Sequence, residues 1–139
     1  MNDNKQLQVV KFEQAKRLKA AGFDWETRDY YVFDDESNAL YEDEELSNYN
    51  GEHHLPVSWD EKEHCSAPTV ALALKWARDV KGVRCYVKLA FTGSDSYGGY
   101  IEFDDDPKKY VMAKSGTYEE AESALLDAVL GEIEKVVTK

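Results

Sequence analysis

Apolar residues recur every three to four positions in two stretches of the chain, and a third stretch is apolar on every side at residues 70–74; these patterns predict three helices. The first helix is expected at residues 12–21 and ends at Gly22, which can take the left-handed conformation that closes a helix. The second is expected at residues 70–81 and is closed by Gly82. Ser66 is its expected N-cap, because a serine hydroxyl can accept a hydrogen bond from the unpaired amides of a first turn.

A capping motif marks the start of the third helix. Thr117 is followed three positions later by Glu120, a pair that can satisfy reciprocal backbone amides. One apolar stripe then continues towards the end of the chain, at Tyr118, Ala121, Leu125, Ala128, Val129, Ile133 and Val136. We therefore expect a long amphipathic helix at the C-terminal end.

Strands are predicted where apolar and polar residues alternate or where aromatic and β-branched residues cluster. Residues 83–91 alternate strictly, which indicates a half-buried strand. Short turns lead from it to strands near 99–103 and 109–113, so these three strands are expected to form an antiparallel meander. The composition of residues 30–33 predicts a further strand, and residues 7–10 are compatible with a short one.

An acidic segment interrupts this pattern at residues 34–64. It carries eleven of the 28 acidic side chains and only one of the 17 basic ones, so the rest of the chain is nearly neutral. Its apolar residues follow neither period, although short strands near 39–41 and 55–59 are compatible with it. The predicted order is (β)αβ, acidic insert, αβββα. This order predicts a single α+β domain over residues 1–139, with an antiparallel sheet and helices packed on one face.

Charge and composition exclude several classes of function. A formal net charge of −11 argues against direct binding of nucleic acid, which depends on clustered Lys and Arg. No apolar run approaches the roughly 20 residues of a membrane span, and the start of the chain lacks the layout of a signal peptide. Cys65 and Cys85 are expected as free thiols in a reducing compartment. These features predict a cytoplasmic protein without membrane contact, and they leave its oligomeric state open.

Four side chains have the chemistry of a transition-metal site, namely His53, His54, His64 and Cys65. Their spacing matches neither the CxxC nor the HxxxH pattern of known sites. Adjacent residues also point apart on a strand. A solvated loop is therefore favoured over a metal centre, and no metal or other cofactor is expected.

No catalytic constellation stands out, and the prediction leans towards a protein that is not an enzyme. Cys85 lies in phase with the apolar face of its strand, which predicts a buried side chain. Cys65 precedes the predicted second helix, a position where the pKa of a thiol can fall. Its neighbour His64 is poorly placed to act as its base, because adjacent side chains rarely meet in the required geometry.

Three stretches carry a resemblance to a known group of proteins. They are FEQAKRLKAAGF at 12–23, SAPTVALALKW at 66–76 and TYEEA at 117–121. Taken in this order, they resemble a group of small proteins of unknown function encoded in Bacteroides-type genomes, their phages and mobile elements. The acidic segment falls outside this likeness. The resemblance implies a cytoplasmic bacterial or phage context, and it brings no activity, cofactor or catalytic residue with it.

The leading functional hypothesis is a small non-enzymatic accessory protein that binds a partner protein with a basic surface. The candidate contact residues are Asp34, Asp35, Glu42, Asp43, Glu44, Glu45 and Trp59. One alternative is a nucleic-acid mimic, which would present carboxylates at regular spacing on a rigid face. The other is a metal-dependent enzyme that uses the His53, His54, His64 and Cys65 region.

Overall fold

The computed structural model describes residues 8–50, 63–89, 97–103, 106–115 and 117–137. Its elements are α1 (Phe12–Ala20), β1 (Thr27–Phe33), β2 (Asn38–Ser47), β3 (Glu63–Ser66), α2 (Val70–Lys81), β4 (Arg84–Leu89), β5 (Tyr97–Phe103), β6 (Asp106–Ser115) and α3 (Tyr118–Val137). The predicted α+β class is confirmed, and all the strand pairs in the described part of the chain are antiparallel.

The chain divides into two compact units, a level of organisation that the sequence did not indicate. We call Val9–Thr69 the hairpin unit. The C-terminal unit begins at Val70 and also includes Gln8, whose carbonyl oxygen accepts a 2.9 Å hydrogen bond from the Val70 N–H. The described strands correspondingly form two three-stranded sheets, one in each unit. That residues 1–139 form a single domain stays a prediction.

In the hairpin unit, β1 is the central strand of a sheet with the order β2-β1-β3. Helix α1 packs on one face of this sheet. Its first residue, Phe12, makes edge-on ring contacts with Tyr31 and Phe33 of β1, at centroid distances of 5.4 and 5.0 Å. The Tyr31 hydroxyl donates a 2.8 Å hydrogen bond to the carbonyl oxygen of Val10, just before the helix. These contacts fix α1 over the end of β1.

The first helix ends where the sequence predicted. Gly22 has a φ of +96°, the left-handed conformation that glycine adopts with the least strain. At the other end, the Lys11 N–H donates a 2.9 Å hydrogen bond to the side-chain oxygen of Gln14, which satisfies one of the unpaired amides of the first turn. Leu18 and Ala15 form the fully buried stripe of this helix.

Part of the acidic segment is more regular than its sequence suggested. Strand β2 takes in ten of its residues, from Asn38 to Ser47, and pairs with β1. The expected short strand at 55–59 lies outside the described residues. Strand β3 was not predicted, and the expectation that Ser66 caps α2 is wrong. Ser66 is the last residue of β3, opposite Tyr30, because long-range pairing with β1 overrides the local capping preference.

The C-terminal unit contains the predicted meander, with the strand order β4-β5-β6. Helix α3 contacts all three strands and also α2. The predicted cap of α3 is present, since the Glu120 N–H donates a 3.1 Å hydrogen bond to the Thr117 hydroxyl. Trp76 of α2 is fully buried, and Cys85 of β4 is buried as predicted. Gly82 closes α2 with a φ of +70°.

Candidate functional site

The turn between β1 and β2 is organised by one acidic side chain. Asp34 Oδ1 accepts 2.9 Å hydrogen bonds from the N–H groups of Glu36 and Ser37. The Asp34 N–H donates in turn to the Ser37 carbonyl oxygen at 3.0 Å. Aspartate favours such turns because its short side chain can bind the backbone two or three residues ahead. The carboxylate of Asp34 therefore closes the hairpin, while Asp35 and Glu36 lie exposed at its tip.

An open groove of about 790 Å³ lies between α1 and this turn. The residues that line it come from α1, the end of β1, the turn, and the first residues of β2 and β3: Phe12, Glu13, Lys16, Lys19, Ala20, Phe33, Asp34, Asp35, Glu36, Ser37, Asn38 and Glu63. Five carboxylates and two lysines are among them, so the groove has an excess of negative charge. We call this site the hairpin groove.

Two aromatic rings form an apolar part of the hairpin groove. Phe12 and Phe33 meet edge to face, with an interplanar angle of 63°. The ammonium of Lys16 lies 5.2 Å from the Phe12 ring centroid and 5.9 Å from that of Phe33. Both distances are within the range of a cation–π interaction. The second lysine, Lys19, donates a 2.9 Å hydrogen bond to the His64 carbonyl oxygen.

A second group of charges lies further along the same hairpin. Asp29 of β1 stands directly opposite Glu42 of β2, so that two carboxylates face each other across the ladder. Arg28 lies near them, with its guanidinium 3.6 Å from the Glu42 carboxylate. Burial raises the pKa of Asp29, and the negative charge of Glu42 raises it further, while Arg28 opposes the shift. The positive charge nearby therefore does not cancel the repulsion.

The acidic run that follows Glu42 coincides with an irregularity in the strand pairing. The register moves from Asp29–Glu42 to Thr27–Ser47, so β2 contains three more residues than β1 over this interval. Such a bulge is common at sheet edges, where it bends the strand and limits unwanted pairing. The apolar side chain of Leu46, in the same interval, is 57% exposed. This end of the hairpin thus combines acidic and apolar exposed positions.

The predicted contact residues divide between these two places. Asp34 and Asp35 line the hairpin groove, whereas Glu42 and Glu45 are exposed on β2. Asp34 lies five residues along the chain from Asp29, the partner of Glu42, so the two groups are about 17 Å apart at 3.3 Å per residue. Asp43 and Glu44 belong to β2, but their side chains lie outside the described part of the structure, as does the whole of Trp59.

Sequence reasoning missed four of the residues that shape the groove, namely Phe12, Lys16, Phe33 and Glu63. Phe12 and Phe33 were assigned to a helix stripe and a strand, which is where they lie, but nothing in their spacing indicated that their rings meet. Lys16 lies off the apolar stripe of α1, and nothing in its position along the sequence indicated a place beside these rings. Glu63 reaches the groove through β3, which lacks both the length and the apolar alternation that reveal a strand.

The proposed metal-ligand residues do not converge where the structure describes them. His64 and Cys65 are consecutive in β3 and therefore point to opposite faces of the sheet. Cys65 is fully buried, and this burial raises the pKa of its thiol to about 11, although Lys19 and Lys16 act in the opposite direction. The expectation of a lowered pKa at a helix start is therefore wrong, since Cys65 lies in a strand. His53 and His54 are outside the described residues.

Among the helices of the described chain, none combines the length and the apolar composition that crossing a membrane requires. Comparison of the chain with protein-family models, with curated proteins and with solved structures finds no match. The functional interpretation therefore depends on the geometry and the charges described above.

Proposed function

We propose that this chain is a non-enzymatic protein that binds a partner protein through the acidic β1–β2 hairpin, and that the partner contributes a basic segment. The main support for the proposal is that the carboxylates of Asp29 and Glu42 lie directly opposite each other on β1 and β2. Like charges directly across a ladder destabilise a sheet by a few tenths to about 1 kcal/mol. A cation supplied by a partner would remove this penalty, so the repulsion favours a bound state.

The chemistry of β2 supports a protein partner over other occupants. Its exposed apolar side chains include Leu40, Tyr41 and Leu46, with 47%, 38% and 57% of their surfaces accessible. Apolar positions among carboxylates suit a protein interface, where apolar contacts accompany charge complementarity. A mimic of nucleic acid instead requires acidic groups at regular spacing, and here the two acidic groups are separated by an apolar stretch.

The test is the binding of a fluorescein-labelled arginine- and lysine-rich peptide, measured by fluorescence anisotropy at low ionic strength. In the test variant, four hairpin acids are neutralised: Asp35→Asn, Glu36→Gln, Glu42→Gln and Glu45→Gln. Asp34 is retained because its carboxylate closes the turn. Each exposed charge contact contributes a few tenths of a kcal/mol, so the four together should weaken binding roughly tenfold.

The matched control neutralises four exposed acids away from the hairpin: Asp24→Asn, Glu119→Gln, Asp127→Asn and Glu134→Gln. Both variants have the same net charge, so long-range attraction of the peptide is equally reduced in the two. We expect the control to change the dissociation constant no more than about twofold. An equal loss of affinity in both variants would mean that overall charge, not the hairpin, attracts the peptide, and the proposal would then be abandoned.

A further inference from the structure

We infer that the hairpin groove binds an arginine side chain of the partner's basic segment, with the guanidinium against the rings of Phe12 and Phe33. This inference depends on the proposed function and assigns a specific site within it. Its starting point is the size of the groove, since about 790 Å³ lies within the range of sites that hold small organic groups.

The ring pair in the groove already interacts with a cation of the protein itself. The Lys16 ammonium lies within 6 Å of both ring centroids, so the ring faces are accessible to positive charge. A guanidinium suits this position better than an ammonium, because it is planar, less strongly hydrated and able to stack on an aromatic ring while its N–H groups bind carboxylates. An incoming arginine therefore displaces Lys16.

Carboxylates stand around the ring pair on more than one side. Asp35 and Glu36 come from the turn, and Glu63 comes from the first position of β3. A guanidinium on the rings has acceptors within the same groove, and bidentate pairing with a carboxylate is the geometry that arginine forms most readily. The carboxylate excess also disfavours phosphate groups.

A second copy of this chain does not fit the groove as well as a basic partner does. The chain carries a net charge of −11, so two copies repel each other at long range. The exposed residues of the hairpin would bring further carboxylates to the groove. Charge complementarity thus selects an arginine-containing segment of a different protein.

The inference is tested with two peptides of the same length and charge, one built on arginine and the other on lysine. The wild-type protein should bind the arginine peptide about fivefold more tightly, in keeping with the strength of an exposed cation–π contact. The variant Phe33→Leu should reduce this ratio to about one. As a control, Tyr118→Leu removes an exposed ring of α3, 44% accessible, and should leave the ratio unchanged.

Because Phe33→Leu alters a residue that also packs on α1, a second pair of variants leaves the rings intact. Lys16→Ala and Lys19→Ala each remove one positive charge from the groove, but only Lys16 occupies the rings. In the wild type, an incoming arginine must first break the cation–π contact of Lys16 with the rings, and Lys16→Ala removes this cost. Lys16→Ala should therefore raise the affinity for the arginine peptide about threefold more than Lys19→Ala does, which corresponds to the strength of one exposed cation–π contact.

The possible results separate this inference from the proposed function. Equal affinities for the two peptides, with equal effects of Lys16→Ala and Lys19→Ala, would overturn the arginine site. If neutralising the hairpin acids still weakened binding in that case, the proposed function would stand without it. If neither peptide bound at all, both would fail.

Discussion

The backbone N–H of Tyr49 donates a 2.9 Å hydrogen bond to the hydroxyl of Ser66, and both residues are fully buried. The Ser66 N–H donates in turn to the Asn50 side-chain oxygen at 2.9 Å. The Asn50 amide nitrogen donates to the carbonyl oxygen of Phe23, also at 2.9 Å. The chain that follows β2 is thus joined both to β3 and to the segment after α1, so the position of the hairpin depends on these bonds.

Replacing Ser66 by alanine should destabilise the protein by about 1–3 kcal/mol, because the buried N–H of Tyr49 loses its acceptor. The free energy of unfolding is measured by urea denaturation. Ser37→Ala is the control, since its hydroxyl lies in the exposed turn, 3.5 Å from Asp34, and its loss should cost less than about 0.5 kcal/mol. Similar losses in the two variants would contradict the role assigned to Ser66.

Gly99 allows α3 to approach the sheet of the C-terminal unit. A Cβ atom at this position would lie 2.6 Å from Leu125 Cβ and 3.2 Å from the Ala121 carbonyl oxygen. Gly99→Ala should therefore destabilise the protein by about 1–3 kcal/mol, as overpacking of a core does. At Gly98 the three atoms nearest to an added Cβ all belong to the side chain of Tyr100, at 2.9–3.0 Å, and a side chain shifts more easily than a backbone carbonyl, so Gly98→Ala should cost less. Thermal unfolding of the two variants provides the comparison, and a milder effect at Gly99 would refute the packing argument.

The two cysteines should be inert in the folded protein. Cys65 and Cys85 are buried, and burial raises the pKa of both thiols, that of Cys65 to about 11. Because the thiolate is the reactive form, iodoacetamide at neutral pH should label neither residue until denaturant is added. Mass spectrometry of the labelled protein checks this. Rapid labelling of Cys65 without denaturant would revive the hypothesis of a reactive cysteine.

Because of the repulsion between Asp29 and Glu42, the contribution of Asp29 to the stability of the protein should fall as the pH rises. The pKa of Asp29 is raised above its ordinary value of 3.8 by burial and by Glu42. Folding therefore favours its protonated form, and the stability that protonation contributes is complete below pH 3.8 and is lost as the pH rises through the raised value.

The variant Asp29→Asn should accordingly be more stable than the wild type at neutral pH, by a few tenths of a kcal/mol at low salt. This advantage should shrink as the pH approaches 3.8, where the wild-type side chain becomes neutral as well. Urea titrations across this pH range measure the difference. As a control, Asp24→Asn removes an exposed charge outside the ladder and should show no such gain. A loss of stability in Asp29→Asn at neutral pH would show that Arg28 outweighs Glu42.

The sequence predicted the helices well because a helix is a local structure. The period of apolar residues, Gly22 and the Thr117 cap all act within a few positions, and the structure confirms each of them. The same reasoning failed at Ser66, whose local preference for a helix start is overridden by pairing with Tyr30, 36 positions earlier. A four-residue polar strand such as β3 has no period to detect.

Of the residues in the candidate site, the sequence predicted only acidic ones. The density of carboxylates drew attention to Asp34 and Asp35, which the structure places in the hairpin groove. Lys16 and Phe33 could not have been found in this way, because the groove forms only when α1 is placed over the end of β1. The sequence did not indicate a further role of Asp34, a predicted contact residue: its carboxylate accepts the backbone hydrogen bonds that close the turn.

A two-dimensional ¹H–¹⁵N NMR titration with the arginine peptide shows whether the acidic hairpin is the surface that binds a basic protein segment. We expect the largest chemical-shift changes in the turn at residues 34–37, in α1 around Lys16, and in β2 around Glu42. Changes confined to the C-terminal unit, or spread evenly over the surface, would contradict this expectation.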